Sequence, residues 1–343
     1  MSTSSAPPVA HDRAAYLVLG MHRSGTSAAT QLLALCGADL PVNVMPGDEH
    51  NEKGYFEPWR IAILNDERLR AGGGAWDDPF SFPYRPLAPE AEEAWIAKAG
   101  DTFATEFGDA RHPLLKDPRV TVLLPMWREA LARAGVAARC IVPVRHPLAV
   151  AGSLTRRNGF TVQKSILLWT VHMLAAEAYT RDLPRAFVGY DALLSDWRGE
   201  AVRIEAAHGA PMPSRSAERD AQIDSFLTPE LRHNRDAEGL ADTPLVGALG
   251  EKVWRWFQAA ATGSENDRTD LDDAAAEVVR LKEMMGVLVS PVTRDLDATR
   301  AELLYERQMR AFEAEKAGRQ IAELRRELTE VERRVDALLT SKD

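Results

Sequence analysis

The chain has 343 residues, 45% of them apolar, which is enough for one large globular domain or for a domain of about 250 residues with an appended segment. The formal net charge of −9 argues against a general nucleic-acid binder, although it leaves room for a locally basic pocket. Cys36 and Cys140 both lie in apolar sequence. We therefore expect buried thiols in a reducing compartment, and neither a disulfide nor a metal site.

The first residues do not have the pattern of a secretory signal. Residues 1–13 are small and polar, without a basic start followed by an apolar core, and predict a flexible tail. The longest apolar stretch, residues 166–178, is too short to span a bilayer and contains Trp169, His172 and Glu177. We expect a cytoplasmic protein without a membrane span.

The most informative stretch is residues 20–27, G-M-H-R-S-G-T-S, which follows the apolar run 16–19 and precedes a helical pattern. Strand, glycine-bearing turn and helix together predict a phosphate-binding loop. Gly25 lets backbone N–H groups approach an anion, and Ser24, Thr26 and Ser27 add hydroxyl donors. Arg23 adds a fixed positive charge, and the following helix directs its N-terminal dipole towards the same place.

This loop departs from the nucleoside-triphosphate pattern G-x-x-x-x-G-K-[ST], because Thr26 stands where the lysine is required. That lysine reaches the β- and γ-phosphates, so ordinary ATP or GTP hydrolysis is disfavoured. The loop, with Arg23 directly before Ser24-Gly25-Thr26, resembles the 5′-phosphosulfate loop of sulfotransferases that use 3′-phosphoadenosine 5′-phosphosulfate (PAPS). The resemblance covers roughly residues 15–235 and implies that residues 23–27 bind PAPS, with Arg23 stabilising charge on the leaving phosphate.

A long loop, residues 41–58, follows the first helix and contains the candidates for a general base. Transfer to an alcohol needs such a base, because a hydroxyl is a poor nucleophile until its proton is removed. The segment N-E-K-G-Y-F-E, ending at Glu57, resembles a stretch of bacterial sulfotransferase-like proteins, and we favour Glu57, with Glu49 and His50 as alternatives. A helix N-terminal acid that complements the dipole is an equally reasonable interpretation of Glu57.

Residues 140–144 read as a buried parallel strand ending in Arg145-His146-Pro147, and the next helix carries Ser153. In sulfotransferases an arginine and a serine so placed hold the 3′-phosphate of PAPS, and the eight-residue separation of Arg145 and Ser153 matches that family. A guanidinium fork and a hydroxyl are suitable phosphate donors.

Two further elements match the same family less specifically. Lys116 and Arg119, in L-K-D-P-R, are candidates for contact with sulfate or acceptor, or for a structural ion pair with Asp117. Arg232, in F-L-T-P-E-L-R-H, is a candidate cofactor contact. The R-K-G-x-x-G loop that closes the 3′-phosphate site in animal cytosolic sulfotransferases is absent here, and residues around Arg232 are the candidates to replace it.

Beyond residue 263 helix formers and charges dominate. Apolar residues from Ile321 to Leu338 recur in steps of three and four, which predicts a coiled coil near residues 317–340; an amphipathic helix folded back on the domain is the alternative. The tail is expected to pair with a second copy or a partner helix.

We therefore predict a P-loop-like, three-layer α/β domain over residues 14–262, with a mostly parallel sheet of about five strands, and a helical extension over residues 263–343. The predicted activity is PAPS-dependent sulfotransfer to a hydroxyl or amine of a small-molecule or glycan acceptor, with a saccharide or glycolipid expected, and without a metal ion or nucleic acid. A nucleotide-dependent kinase on the same fold and a non-catalytic coiled-coil interaction protein are the alternatives.

Overall fold

A computed structural model describes residues 13–45, 54, 56–228, 239–264 and 267–340. The chain divides into two units, residues 1–291 and residues 292–343. In the described residues the first unit contains a four-stranded sheet, where the sequence predicted about five strands. The strands are β1 (Ala14–Val18), β2 (Leu114–Lys116), β3 (Ala137–Val144) and β4 (Arg185–Gly189).

The helices of the described residues follow in chain order. They are α1 (Thr26–Leu35), α2 (Trp59–Ala71), α3 (Pro89–Phe107), α4 (Pro118–Val122), α5 (Leu124–Arg133), α6 (Pro147–Asn158), α7 (Val162–Tyr179), α8 (Tyr190–Ser195), α9 (Trp197–His208), α10 (Ala217–Phe226), α11 (Gly247–Ala261) and α12 (Thr269–Thr340). Helix α12 contains the residues of the predicted coiled coil, and its residues from Val292 onward belong to the second unit.

All three strand pairings are parallel, and the strand order is β2-β1-β3-β4. Strand β1 therefore lies between β2 and β3: the chain passes from β1 to β2 on one side and then crosses to β3 on the other side of β1. In open α/β sheets such a switch point forms a crevice at the carboxyl ends of the strands, where ligands bind. The phosphate-binding loop predicted from the sequence follows β1 at this point.

Apolar side chains cover both faces of the sheet. Because successive residues of a strand point to opposite faces, Ala15 and Leu17 belong to one apolar cluster, while Tyr16 and Val18 belong to another. The first cluster includes residues of α3, α5, α7 and α11, and the second includes residues of α1, α8 and α9. The predicted three-layer α/β architecture with a mostly parallel sheet is thus confirmed.

Candidate functional site

The turn between β1 and α1 is held in a left-handed backbone conformation. Gly20, Arg23 and Gly25 have φ values of 121°, 69° and 94°. Arginine rarely adopts such a φ, and a non-glycine residue held there costs of order 1 kcal/mol or more, so neighbouring groups must fix it. The guanidinium of Arg145 donates a hydrogen bond of 3.0 Å to the carbonyl of Arg23, and the N–H of Gly20 donates one of 2.7 Å to Thr121 Oγ1.

Both the positive φ at Gly25 and the closeness of Tyr190 require glycine at this position. A Cβ atom at this position would lie 2.4 Å from Cδ2 of Tyr190, which is closer than two non-bonded carbon atoms can approach. Tyr190 begins α8 directly after β4. Glycine therefore lets the loop pack on the tyrosine ring and positions the start of α1.

The N-terminus of α1 has no side-chain cap. Its N-cap residue, Gly25, has no side chain to accept the first N–H groups of the helix, and these groups have no partner within a helix. Ser24 is fully buried, and none of the described residues forms a hydrogen bond with its hydroxyl. Donors of the backbone and of Ser24 thus converge where the helix dipole favours a negative charge.

The structure brings the two predicted 3′-phosphate residues to this loop. Nε of Arg23 donates a hydrogen bond of 2.7 Å to Oγ of Ser153 on α6. Arg145 follows β3, and its guanidinium lies 4.4 Å from the ring centre of Tyr190. Burial lowers the pKa of Arg145, with the nearby charge of Arg23 acting in the same direction. Arg23, Arg145 and Ser153 therefore form one connected, electropositive group.

Lys116 and Glu57 form a buried ion pair beside the loop. Lys116 ends β2, and its Nζ donates to Glu57 Oε1 over 2.6 Å and lies 3.5 Å from Ser27 Oγ. Both side chains are only 3% exposed. Burial lowers the pKa of Lys116, whereas the charge of Glu57 acts to raise it. Within the part of the chain that the structure describes, the second carboxylate oxygen of Glu57 is buried without a hydrogen-bond partner.

The backbone of Glu57 is fixed on both sides. Its carbonyl accepts a 2.8 Å hydrogen bond from the N–H of Met45, and the next residue, Pro58, forms an isolated bridge with Val44. Helix α2 begins directly afterwards, at Trp59. Glu57 therefore reaches Lys116 across 59 residues of sequence, and this contact distinguishes it from a carboxylate that only faces a helix dipole.

Arg119 is engaged by acids, as the structural interpretation of the sequence proposed. Its guanidinium donates to Asp117 over 2.9 Å and to Asp66 over 2.5 Å. These acids raise the pKa of Arg119 against the opposing effect of burial. The side chain of Asn65 donates to Asp117 and accepts from the indole of Trp127, both over 2.8 Å. This buried network holds the segment that follows Lys116.

Aromatic rings border the loop at His22. The imidazole of His22 lies 5.0 Å from the ring of Trp76, which in turn lies 5.8 Å from Phe160. Arg157 lies 5.7 Å from the Trp76 ring. Burial lowers the pKa of His22 well below its usual value, with the charge of Arg157 acting in the same direction. His22 is therefore neutral at pH 7, and its Nε2 atom forms no hydrogen bond with the residues that the structure describes.

Trp169 packs in the interior, as the sequence favoured. It is fully buried on α7, and its ring lies 6.5 Å from that of Phe257.

Cys36 and Cys140 are buried free thiols, as predicted, and burial raises their pKa values to about 11 and about 12.

Three predicted site residues, Glu49, His50 and Arg232, lie outside the described residues, as do residues 1–12 of the predicted N-terminal tail. In the part of the chain that the structure describes, no group of three or more histidine, cysteine, aspartate or glutamate side chains has an arrangement that could hold a metal ion. Within the same residues, none of the helices combines the length and apolar character needed to cross a membrane.

Comparison with solved structures finds eight similar chains, among them two sulfotransferase domains. One is the sulfotransferase domain from the Synechococcus PCC 7002 olefin synthase, at 18% identity and a TM-score of 0.39, covering 80% of this chain and 98% of that one. The other is the sulfotransferase domain from the curacin biosynthetic pathway, at 13% identity and a TM-score of 0.36, covering 78% and 98%. No protein-family profile matches the chain, and no curated protein does.

Sequence reasoning missed Tyr190 as a neighbour of the loop and Thr121 as its anchor. The position of Tyr190 directly after a core strand was a usable signal, since residues at the carboxyl end of a parallel strand face the crevice. Thr121 carried no signal, because a threonine inside an apolar helix pattern has many roles. Each of the four strands thus contributes a group at its carboxyl end: the loop after β1, Lys116, Arg145 and Tyr190.

Proposed function

We propose that the protein is a sulfotransferase that moves a sulfuryl group from PAPS to a hydroxyl or amine of an acceptor. The observation that carries the proposal is the connected group formed by the β1–α1 loop, Ser153 and Arg145. A phosphate-binding loop without the triphosphate lysine, joined directly to a second guanidinium and a serine, suits a nucleotide with phosphates at two separate positions.

The donor set fits such a nucleotide. The uncapped N-terminus of α1 and the unpartnered hydroxyl of Ser24 are suited to the 5′ phosphate group, and Arg23 supplies a positive charge there. Arg145 and Ser153 are the residues that would hold the 3′-phosphate. PAPS supplies the sulfuryl group when bound. Binding of its anionic groups would also offset the burial of the Arg145 charge, which the lowered pKa of this residue reflects.

Glu57 is our candidate for the general base. One carboxylate oxygen is fixed by Lys116, while the other has no hydrogen-bond partner among the described residues, and we infer that this second oxygen accepts the proton of an acceptor hydroxyl. Lys116 then has two roles: it orients the carboxylate, and its charge offsets negative charge that develops nearby. Glu49 and His50 remain predictions for the same role, and a saccharide or glycolipid remains the predicted acceptor.

The proposal is tested by calorimetric titration with 3′-phosphoadenosine 5′-phosphate, and in parallel with ATP plus Mg²⁺. We expect selective binding of the 3′-phosphorylated nucleotide by the wild type and a loss of roughly tenfold or more in affinity for Arg145→Ala, since a charged hydrogen bond contributes about 1.5–3 kcal/mol. Arg255→Ala is the matched control, because this arginine is 75% exposed on α11.

Preference for ATP with Mg²⁺ would instead favour the kinase alternative. Absence of nucleotide binding by a folded protein would favour a non-catalytic role. A protein that binds the nucleotide is then assayed for transfer of ³⁵S from PAPS to acceptor mixtures, comparing the wild type with Glu57→Gln.

A further inference from the structure

The second unit of the chain carries an apolar stripe that the chemistry of the loop does not explain. Its members lie in the last part of α12 and recur in alternating steps of three and four. We call the following residues the C-terminal stripe: Ile321, Leu324, Leu328, Val331, Val335 and Leu338. The four of them whose side chains are described are 52–64% exposed. A heptad pattern of this kind is buried against another helix in a coiled coil.

The stripe has a defined beginning. In the same heptad frame the two preceding core positions are Ala314 and Ala317, and the two before those are Arg307 and Arg310. Arginine at consecutive core positions places charge in the apolar seam, so pairing is favoured only from about residue 314 onward. The pairing segment is therefore short, and its flanking charges have a large influence on partner and direction.

The charges beside the stripe are self-complementary in one direction only. The flanking positions next to the core carry Glu327 and Arg334 on one side and Arg325 and Glu332 on the other. In a parallel pair of identical helices, position 327 of one copy faces position 332 of the other, and both are glutamates. In an antiparallel pair with Leu328 opposite Val331, position 327 faces position 334, so that glutamate meets arginine twice by symmetry.

The flanking charges and the core residues also favour one alignment of the two antiparallel helices. Sliding the antiparallel pair by one heptad places Leu324 opposite Leu328 and brings the two Glu327 residues together at the symmetry axis. A further slide brings Arg310 into the core. The register with Leu328 opposite Val331 fills all core layers with members of the C-terminal stripe and gives opposite charges at the flanks.

We propose that residues 319–340 of α12 bind the same residues of a second copy of this chain in an antiparallel coiled coil, centred between positions 329 and 330. The occupant of the stripe is thus a second copy, because the flanking charges complement each other within the same sequence. This assembly does not depend on the activity proposed above.

The first test is the mass of the full-length protein by sedimentation equilibrium over a wide concentration range. We expect a dimer that Leu328→Asp converts to a monomer, because a carboxylate in the core position cannot be buried without a partner. The protein is monomeric at all concentrations if the stripe folds back on its own chain or awaits a different protein, and that result would overturn the proposal.

A charge reversal distinguishes the two directions. Glu327→Lys places two positive charges together in the antiparallel pair, and we expect the dissociation constant to rise about tenfold. In a parallel pair the same lysine would face Glu332, and the dimer would tighten. Glu323→Lys is the matched control, since position 323 lies away from the seam and should leave the dissociation constant unchanged. A tighter Glu327→Lys dimer would refute the antiparallel arrangement.

A distance measurement provides independent evidence. Lys316 is exposed on α12, and a spin label at Lys316→Cys reports one distance per dimer, because Cys36 and Cys140 are buried and react slowly. The antiparallel register separates the two labels by 27 residues along the axis, about 40 Å at 1.5 Å per residue. A parallel dimer would give about 20 Å or less, the width of two packed helices, and would overturn the proposal.

Discussion

The buried pair of Lys116 and Glu57 is expected to couple stability and activity. Its N–O distance is 2.6 Å with 3% exposure of each side chain. Removing one partner from a buried ion pair leaves an uncompensated charge and costs about 3–5 kcal/mol. We therefore expect Glu57→Gln and Lys116→Met each to lower the free energy of unfolding by about 3 kcal/mol.

The double variant separates charge pairing from packing. Because Glu57→Gln together with Lys116→Met removes both charges at once, its cost should be well below the sum of the single costs, with a coupling energy of about 2 kcal/mol or more. The measurement is urea unfolding followed by circular dichroism at pH 7.5 and 25 °C, with each variant compared with the wild type.

The chain offers a matched control at its surface. Lys98 and Glu67 also lie 2.6 Å apart, but their side chains are 52% and 44% exposed. Solvent screens such a pair, so Glu67→Gln should cost less than about 1 kcal/mol. If Glu67→Gln and Glu57→Gln cost the same, burial does not set the strength of the inner pair, and the reasoning fails.

The same variants test the catalytic role. If Glu57 is the base, Glu57→Gln should lower the rate of sulfuryl transfer by about 10²–10⁴-fold, while the dissociation constant for 3′-phosphoadenosine 5′-phosphate stays within about threefold of the wild type. Assays are run well below the unfolding transition of each variant, so that lost stability does not appear as lost activity. Full activity of a folded Glu57→Gln protein would assign the base to Glu49 or His50.

Three further predictions concern the loop and the interior. Gly25→Ala should lower the free energy of unfolding by about 2 kcal/mol or more, because the new Cβ meets the Tyr190 ring and the backbone φ is unfavourable for alanine. Urea unfolding measures this change, and adding Tyr190→Ala should relieve part of the cost. Ser153→Ala should weaken binding of 3′-phosphoadenosine 5′-phosphate about fivefold in calorimetry, with no such change for adenosine 5′-phosphate. Burial lowers the pKa of His172 from 6.5 to about 4, so the unfolded chain binds the proton more tightly than the folded protein does. The free energy of unfolding therefore rises with pH between about 4 and 6.5. This residue alone should make the protein about 2 kcal/mol less stable at pH 5 than at pH 7.5. An unchanged pH slope of the unfolding free energy in His172→Asn would contradict that assignment.

The sequence predicted the loop well because its signals are local. Glycines at positions 20 and 25, a preceding apolar strand and a following helix all lie within about twenty residues, and each has a direct backbone consequence. The fold class followed from the same kind of signal, since apolar strands alternating with helical patterns indicate a parallel sheet. The expected number of strands, about five, exceeds the four that the described residues form.

The contacts within the site depend on long-range geometry and could not be derived in the same way. The family resemblance selected Arg145 and Ser153, but the hydrogen bond from Arg23 to Ser153 joins residues 130 positions apart. The pairing of Glu57 with Lys116 likewise requires that the segment before α2 pass over the end of β2. Such contacts follow from the order of strands in the sheet, which local periodicity does not encode.

The charge distribution is compatible with the polyanionic ligand that we propose, although the chain as a whole is acidic. The net charge of −9 is a property of the whole chain, whereas the carboxyl ends of β2 and β3 carry Lys116 and Arg145 in positions that are 2% and 9% exposed. Burial lowers the pKa of both groups, so the folded protein holds these charges at a cost in free energy. Lys116 is offset by Glu57, while Arg145 has a ring face and a backbone carbonyl, which are weaker partners than an anion. Burial lowers the pKa of Arg145 even though the charge of Asp191 acts to raise it, and this incomplete compensation is the physical reason for proposing that a phosphate binds there.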